Sequence, residues 1–103
     1  MTMDLKPRYT GVEDTTFDIA QDFLDSIVIL GADVAIQLRK VLENNEDIFK
    51  KEGSMTYGFK IEELFYEVEI YCEDDFAPLL EDIRKINVDD YLDHINNNTK
   101  LND

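Results

Sequence analysis

Two runs, Met55-Thr56-Tyr57-Gly58-Phe59-Lys60-Ile61 and Tyr66-Glu67-Val68-Glu69-Ile70-Tyr71-Cys72, decide how this chain folds. In the first, Met55, Tyr57, Phe59 and Ile61 alternate with less apolar residues. In the second, Tyr66, Val68, Ile70 and Cys72 alternate with Glu67, Glu69, Tyr71 and Glu73. Period two is the signature of a half-buried strand, because successive side chains point to opposite faces. The pattern predicts a β-hairpin that turns near Glu62-Glu63. A helical stripe through Ile61, Leu64, Phe65, Val68 and Cys72 is the alternative. It would turn Tyr66, Ile70 and Tyr71 towards solvent, and the β-branched and aromatic content favours strand.

Outward from the hairpin the period changes. Phe17, Ala20, Phe23, Leu24, Ile27 and Leu30 recur at helical spacing, after a loose capping box at Thr15-x-x-Asp18. Asp18, Asp22 and Asp25 fall together on another face of that helix, and Gly31 is a plausible stop. Asp33 can cap a second helix with an apolar stripe of Val34, Leu38, Val41 and Leu42. Asn44-Asn45 can break it, and Gly53 ends the region. Beyond the hairpin, Asp74 or Asp75 can cap a third helix, with Pro78 tolerated in its first turn. Its buried side would be Phe76, Leu79, Leu80, Ile83 and Ile86, with Glu81 and Asp82 facing solvent. Asn87-x-x-Asp90 opens a short last helix carrying Val88, Leu92 and Ile95. The order is α-α-β-β-α-α, an α+β fold with helices packed on one face of a small antiparallel sheet. Residues 1–13 read as a flexible leader, 14–95 as one α+β domain and 96–103 as a frayed tail.

The charge is one-sided. The chain has 103 residues and a net charge of −14, yet its 44% apolar content suits a packed core rather than disorder. Residues 1–51 hold ten acidic and six basic side chains, residues 52–103 fourteen and four. From Ile61 to Ile83 there are nine carboxylates and no basic residue. Such a field weakens a fold by self-repulsion and steers oppositely charged partners. Direct binding to nucleic acid is excluded on the same ground, since little cationic surface is present to displace counterions. The longest apolar run, Ile27-Val28-Ile29-Leu30, is too short to span a membrane. Cys72, the single cysteine, allows no internal disulfide, which suits a cytoplasmic setting.

Local structure explains much of the acidity. Glu62 and Glu63 belong to a turn, and Asp74 and Asp75 to a helix start, where anions are favoured. An outward row of Glu67, Glu69 and Glu73 around Tyr71 remains. These residues, extended by Asp18, Asp22 and Asp25 if the first helix flanks the sheet, are the candidate partner-binding surface. Tyr71 would serve as an anchor within it. A solvated face that keeps a small protein soluble is the plain reading of the same residues.

Catalytic and metal chemistry find little support. His94, the single histidine, sits in Asp89-Asp90-x-x-Asp93-His94, which reads as a solvated helix with a surface histidine. Neither serine lies in a nucleophile elbow, the glycines form no phosphate loop, and no EF-hand spacing exists. No enzyme activity, cofactor or metal is expected. The expected function is that of a small acidic inhibitor that displays phosphate-like charge to a basic protein, such as a nuclease or a nucleic-acid-binding complex. A phage anti-defence inhibitor fits this description, and so does an immunity protein or antitoxin against a basic toxin. A homodimeric assembly module is the alternative from another class, because Ile27 to Leu30 is apolar all round.

Self-repulsion has a measurable signature. Raising NaCl from low to physiological concentration should raise Tm, because exposed charges are screened beyond about 8–10 Å. Each 1 kcal/mol of relieved repulsion corresponds to roughly 4–8 °C for a domain of this size. A Tm that falls or stays constant in a salt series followed by circular dichroism contradicts this account.

Overall fold

The structure, a computed structural model, describes residues 17–45, 49, 52–73 and 77–101. Its elements are β1 (Asp18–Ile19), α1 (Gln21–Leu30), α2 (Ala32–Asn44), β2 (Gly53–Ile61), β3 (Leu64–Cys72), β4 (Leu79–Ile86) and α3 (Val88–Asn96). The fold is mixed α+β, with three helices and one four-stranded sheet among the described residues. The strands run in the order β1-β4-β3-β2.

The hairpin forms as the alternation requires. β2 and β3 pair antiparallel from Gly53 opposite Cys72 to Ile61 opposite Leu64. Glu62 and Glu63 make the two-residue connection, with Glu62 at φ 55°. Directly opposed residues share a face, so Tyr57 with Val68, and Phe59 with Tyr66, join one apolar surface. The Phe59 and Tyr66 rings stack at 5.5 Å between centroids.

Three expectations are corrected. Residues Leu79–Ile86 form a strand, not a helix, and β4 pairs antiparallel with β3. A register shift between Glu69 and Ile70 inserts one extra residue of β4, so Leu80 and Ile83 are both buried although three apart. A bulge thus imitates the i, i+3 spacing of a helix. The proposed helix caps, Asp74 and Asp75, and Phe76 lie outside the described residues, as does the Thr15 half of the capping box. Second, α1 begins only at Gln21, and Asp18–Ile19 instead pairs parallel with Leu79–Leu80 at the edge of the sheet. Asp18 therefore shares no helix face with Asp22 and Asp25. Third, the element order is β-α-α-β-β-β-α, the sheet is not purely antiparallel, and the helices occupy both of its faces.

α1 and α2 cover the apolar face. Phe23 and Ile27 of α1, and Val34, Ala35, Leu38, Val41 and Leu42 of α2, join the strand residues in one core. Gly31, at φ 106°, ends α1 and begins α2, a conformation that an L side chain rarely adopts. α2 stops at Asn44, and the Asn45 side chain donates back to the Val41 carbonyl at 2.6 Å. Cys72 is buried and its thiol donates to the Phe49 carbonyl at 2.8 Å. Burial pushes the thiol pKa up, as suits inert packing. Of the apolar run in α1, Ile27 is buried and Ile29 is 84% exposed. No described helix is long and apolar enough to cross a membrane.

The chain beyond Asn96, expected to fray, is held through Leu101. The N–H of Gly58 donates to the Thr99 carbonyl at 2.9 Å, and the Leu101 N–H to the Gly58 carbonyl at 2.7 Å. This short bridge covers part of the free edge of β2, which would otherwise present unpaired backbone groups. The Leu101 side chain is 0% exposed and belongs to the main core. Leu101→Ala should therefore cost about 2–5 kcal/mol, the range for a fully buried leucine. Urea unfolding measures it, and a loss below about 1 kcal/mol would show that the C-terminal segment adds little to the fold.

Candidate functional site

The second face of the sheet carries the polar residues of β3. Phe65, Glu67, Glu69 and Tyr71 alternate along it. Glu67 has Gly58 of β2 on one side and Arg84 of β4 on the other. Gly58 has no side chain, and the gap is filled by the imidazole of His94 from α3. A Cβ placed on Gly58 would lie 2.8 Å from His94 Cδ2 and Cγ. α3 is held to this face at two points: Tyr91 packs on Phe65 at 4.6 Å between ring centroids, and His94 packs on Gly58. Its N-terminus is capped as the sequence suggests, with the Asn87 side chain accepting from the Asp90 N–H at 2.9 Å.

His94 is the main correction to the candidate chemistry, for it is buried rather than solvated. Its Nε2 meets Glu67 Oε2 at 2.7 Å, and its Nδ1 meets Thr99 Oγ1 at 2.6 Å. Glu67 Oε1 accepts from the Arg84 guanidinium. Burial raises the pKa of Glu67, but the hydrogen bonds from His94 and Arg84 outweigh it and hold the carboxyl below the ordinary glutamate range. With Glu67 ionised, Nε2 donates to it, while the Thr99 hydroxyl pairs with Nδ1 and also lies 3.4 Å from the His94 carbonyl.

Thr99, His94 and Glu67 stand in the order of a nucleophile, a base and an orienting acid. Acyl transfer also needs free N–H donors aimed at the developing oxyanion. Three N–H groups near Thr99 are engaged: Thr99 donates to the His94 carbonyl at 2.8 Å, and those of Gly58 and Leu101 form the edge bridge. The chain of contacts acts as a latch that ties α3 and the C-terminal segment to the sheet. Among the described residues, no three His, Cys, Asp or Glu side chains gather closely enough to hold a metal ion.

α3 covers only part of the face. Beside it opens a groove of about 530 Å³, whose lining includes Thr56, Glu67, Asp90, Asp93, His94 and Thr99 and no Lys or Arg. Next to it a smaller depression adds Glu69, Asp82 and Arg84. No family model matches the chain, and no curated protein or solved structure matches it.

The expected binding residues are divided by this geometry. Glu67, Glu69 and Tyr71 do share the second face, with Glu69 and Tyr71 half-buried and Glu73 exposed just past the strand. Glu67 is an internal group rather than a free carboxylate. Asp18 lies in β1, at the opposite edge of the sheet from β2. Asp22 and Asp25 are exposed on α1, which packs on the apolar face, and Asp25 accepts from Gln21. Glu81 and Asp82 are not free either: Glu81 accepts from Ser54 at 2.7 Å and Asp82 from Ser26 at 2.9 Å. Asp90 and Asp93 join the acidic surface, and sequence reading missed them. The signal was Gly58, since glycine inside a strand often marks a close approach by another element.

The latch predicts a pH dependence. Glu67→Gln removes the charge that both donors answer, and should cost about 1–3 kcal/mol at neutral pH. Because the folded pKa is lowered, the stabilisation is complete above the ordinary glutamate value and is lost as pH falls through the folded one. Urea midpoints of the native chain and Glu67→Gln should therefore differ at pH 7 and converge in acid. A constant difference across that range excludes a role for the Glu67 charge.

Proposed function

We propose that this protein is a non-enzymatic acidic binder that occupies a basic surface of another protein, of the kind that otherwise holds nucleic acid. The carrying observation is the open half of the second sheet face. Glu69, Tyr71 and Glu73 run along it, and beside them Asp90 and Asp93 of α3 line a groove that has no Lys or Arg. The cation nearest to this surface in register, Arg84, is hydrogen-bonded to Glu67.

Alternate residues on a strand project about 6.6–6.8 Å apart, close to two steps of a nucleic-acid strand at about 3.4 Å each. Glu69 and Glu73 stand two such intervals apart, about 13 Å or four phosphate steps, and at that spacing can take the place of phosphates, with Arg or Lys of the partner closing on them in charge-assisted hydrogen bonds. Tyr71 lies between them and offers ring area with a polar tip. Inhibition follows by occupation: while the surface is filled, nucleic acid is kept out. A phage inhibitor of a host nuclease or defence complex, working in the cytoplasm, suits this mechanism. An immunity protein or antitoxin against a basic toxin has the same physics. A homodimeric assembly module is supported by a different feature, the exposed Val28 and Ile29 at the end of α1.

Charge reversal tests the reading. Glu69→Lys with Glu73→Lys changes the open face and spares the Glu67 latch. Asp33→Lys with Glu43→Lys changes the net charge equally, on exposed positions of α2. Baits carrying each pair are used for affinity capture from the native host. The sheet pair should lose a partner that the native chain captures, by roughly 10²-fold or more, since like charges brought together cost several kcal/mol. The α2 pair should retain it. Equal capture by the native chain and the sheet pair would remove this surface from consideration.

A further inference from the structure

α3 buries one side and leaves an apolar stripe beside it. Tyr91 and His94 are held against the sheet, whereas Val88, Leu92 and Ile95, expected from the sequence to be its apolar face, are 48%, 48% and 43% exposed. At about 100° per residue these three fall within about 60° of one another on the helix. A stripe at i, i+4 and i+7 normally marks the side that a helix buries. Here the latch decides otherwise: docking through Tyr91 and His94 turns the stripe away from the core. On the helix surface the buried pair lies to one side of the stripe, and Asp89 and Asp93 lie to the other.

We propose that this stripe is the seat for a cationic amphipathic helix of the partner protein. The assignment rests on the acidic-binder reading above and names the part of the partner that is recognised. Charge complementarity selects the occupant. α3 carries Asp89, Asp90 and Asp93 and no Lys or Arg. A second copy seated here by its own α3 would bring these aspartates together with no cation on either helix to answer them. An anionic membrane surface would meet the same repulsion. A helix with three apolar anchors at matching spacing and Lys or Arg along their borders satisfies both the stripe and its acidic rim. The anchors span about 10 Å, two turns of helix. Beyond the rim lies the acidic groove, lined in part by Asp90 and Asp93, so a partner seated on α3 would bring further basic side chains over the open sheet face.

The probe is a synthetic helical peptide with leucines at i, i+4 and i+7 and lysines elsewhere, followed by fluorescence anisotropy. A second peptide of equal charge has serine for leucine. Leu92→Ser with Ile95→Ser removes the anchors' contacts, and thermal melting checks that the fold survives. The leucine peptide should bind the native chain at least tenfold more tightly than the serine peptide, and the double serine variant should lose that difference. Equal binding of both peptides, or an undiminished preference in the variant, overturns the proposal. So does sedimentation of the native chain as a dimer that the variant dissociates, which would assign the stripe to a second copy. Capture from the native host separates the two readings. If the double serine variant keeps the partner and Glu69→Lys with Glu73→Lys loses it, the seat on α3 is wrong and the acidic binder stands. If neither variant changes capture, both fall.

Discussion

β3 is paired along both edges, by β2 on one side and β4 on the other, so neither of its faces can be left to chance. One face meets the main core and is answered by Tyr66, Val68, Ile70 and Cys72, all buried. The other holds a carboxylate, Glu67, in the middle of the sheet. A charge there has to be matched by hydrogen bonds, because water reaches it poorly. Arg84 comes from the neighbouring strand and His94 from the last helix. The second of these contacts requires Gly58, since any side chain at that position would occupy the place of the imidazole. From this constraint follow the placement of α3, the hold on Thr99 and the path of the chain to Leu101.

The same constraint divides the acidic surface. Some carboxylates serve the fold: Glu67 in the latch, Glu81 and Asp82 across strand and helix contacts. Others face outward: Asp90 and Asp93 on α3 border an open groove, Glu69 borders the smaller depression beside it, and Glu73 is exposed just past the strand. Repulsion among them is a standing cost to stability. A cationic partner would relieve it, which is why the open half of the sheet, rather than the whole acidic run, carries the functional proposal.

Much of the architecture was legible in short stretches. The hairpin followed from alternation, its turn from Glu62-Glu63, the break between α1 and α2 from Gly31, and the start of α3 from Asn87. Each of these rests on interactions within a few residues or between adjacent strands. Three features were not legible, for distinct reasons. In β4 the bulge placed Leu80 and Ile83 on one face at a spacing of three, so a strand carried a helical pattern. β1 is only two residues long, too short to show a period, and it follows Phe17, which continues the apolar spacing of α1. In α3 the apolar stripe was visible, but not that Tyr91 and His94 would be buried in its place.

Composition and order along the chain alone determined that this is a strongly acidic α+β protein with a central hairpin and one face rich in carboxylates. Local periodicity and turn chemistry act over a handful of residues, and both survive in the sequence. Tertiary structure decided which carboxylates are free, because that depends on partners 17 and 27 residues away in the chain, Arg84 and His94 for Glu67. It also decided which side of α3 faces outward. A helix can bury only one side, and a glycine gap with a charged neighbour held Tyr91 and His94 more specifically than an apolar stripe could.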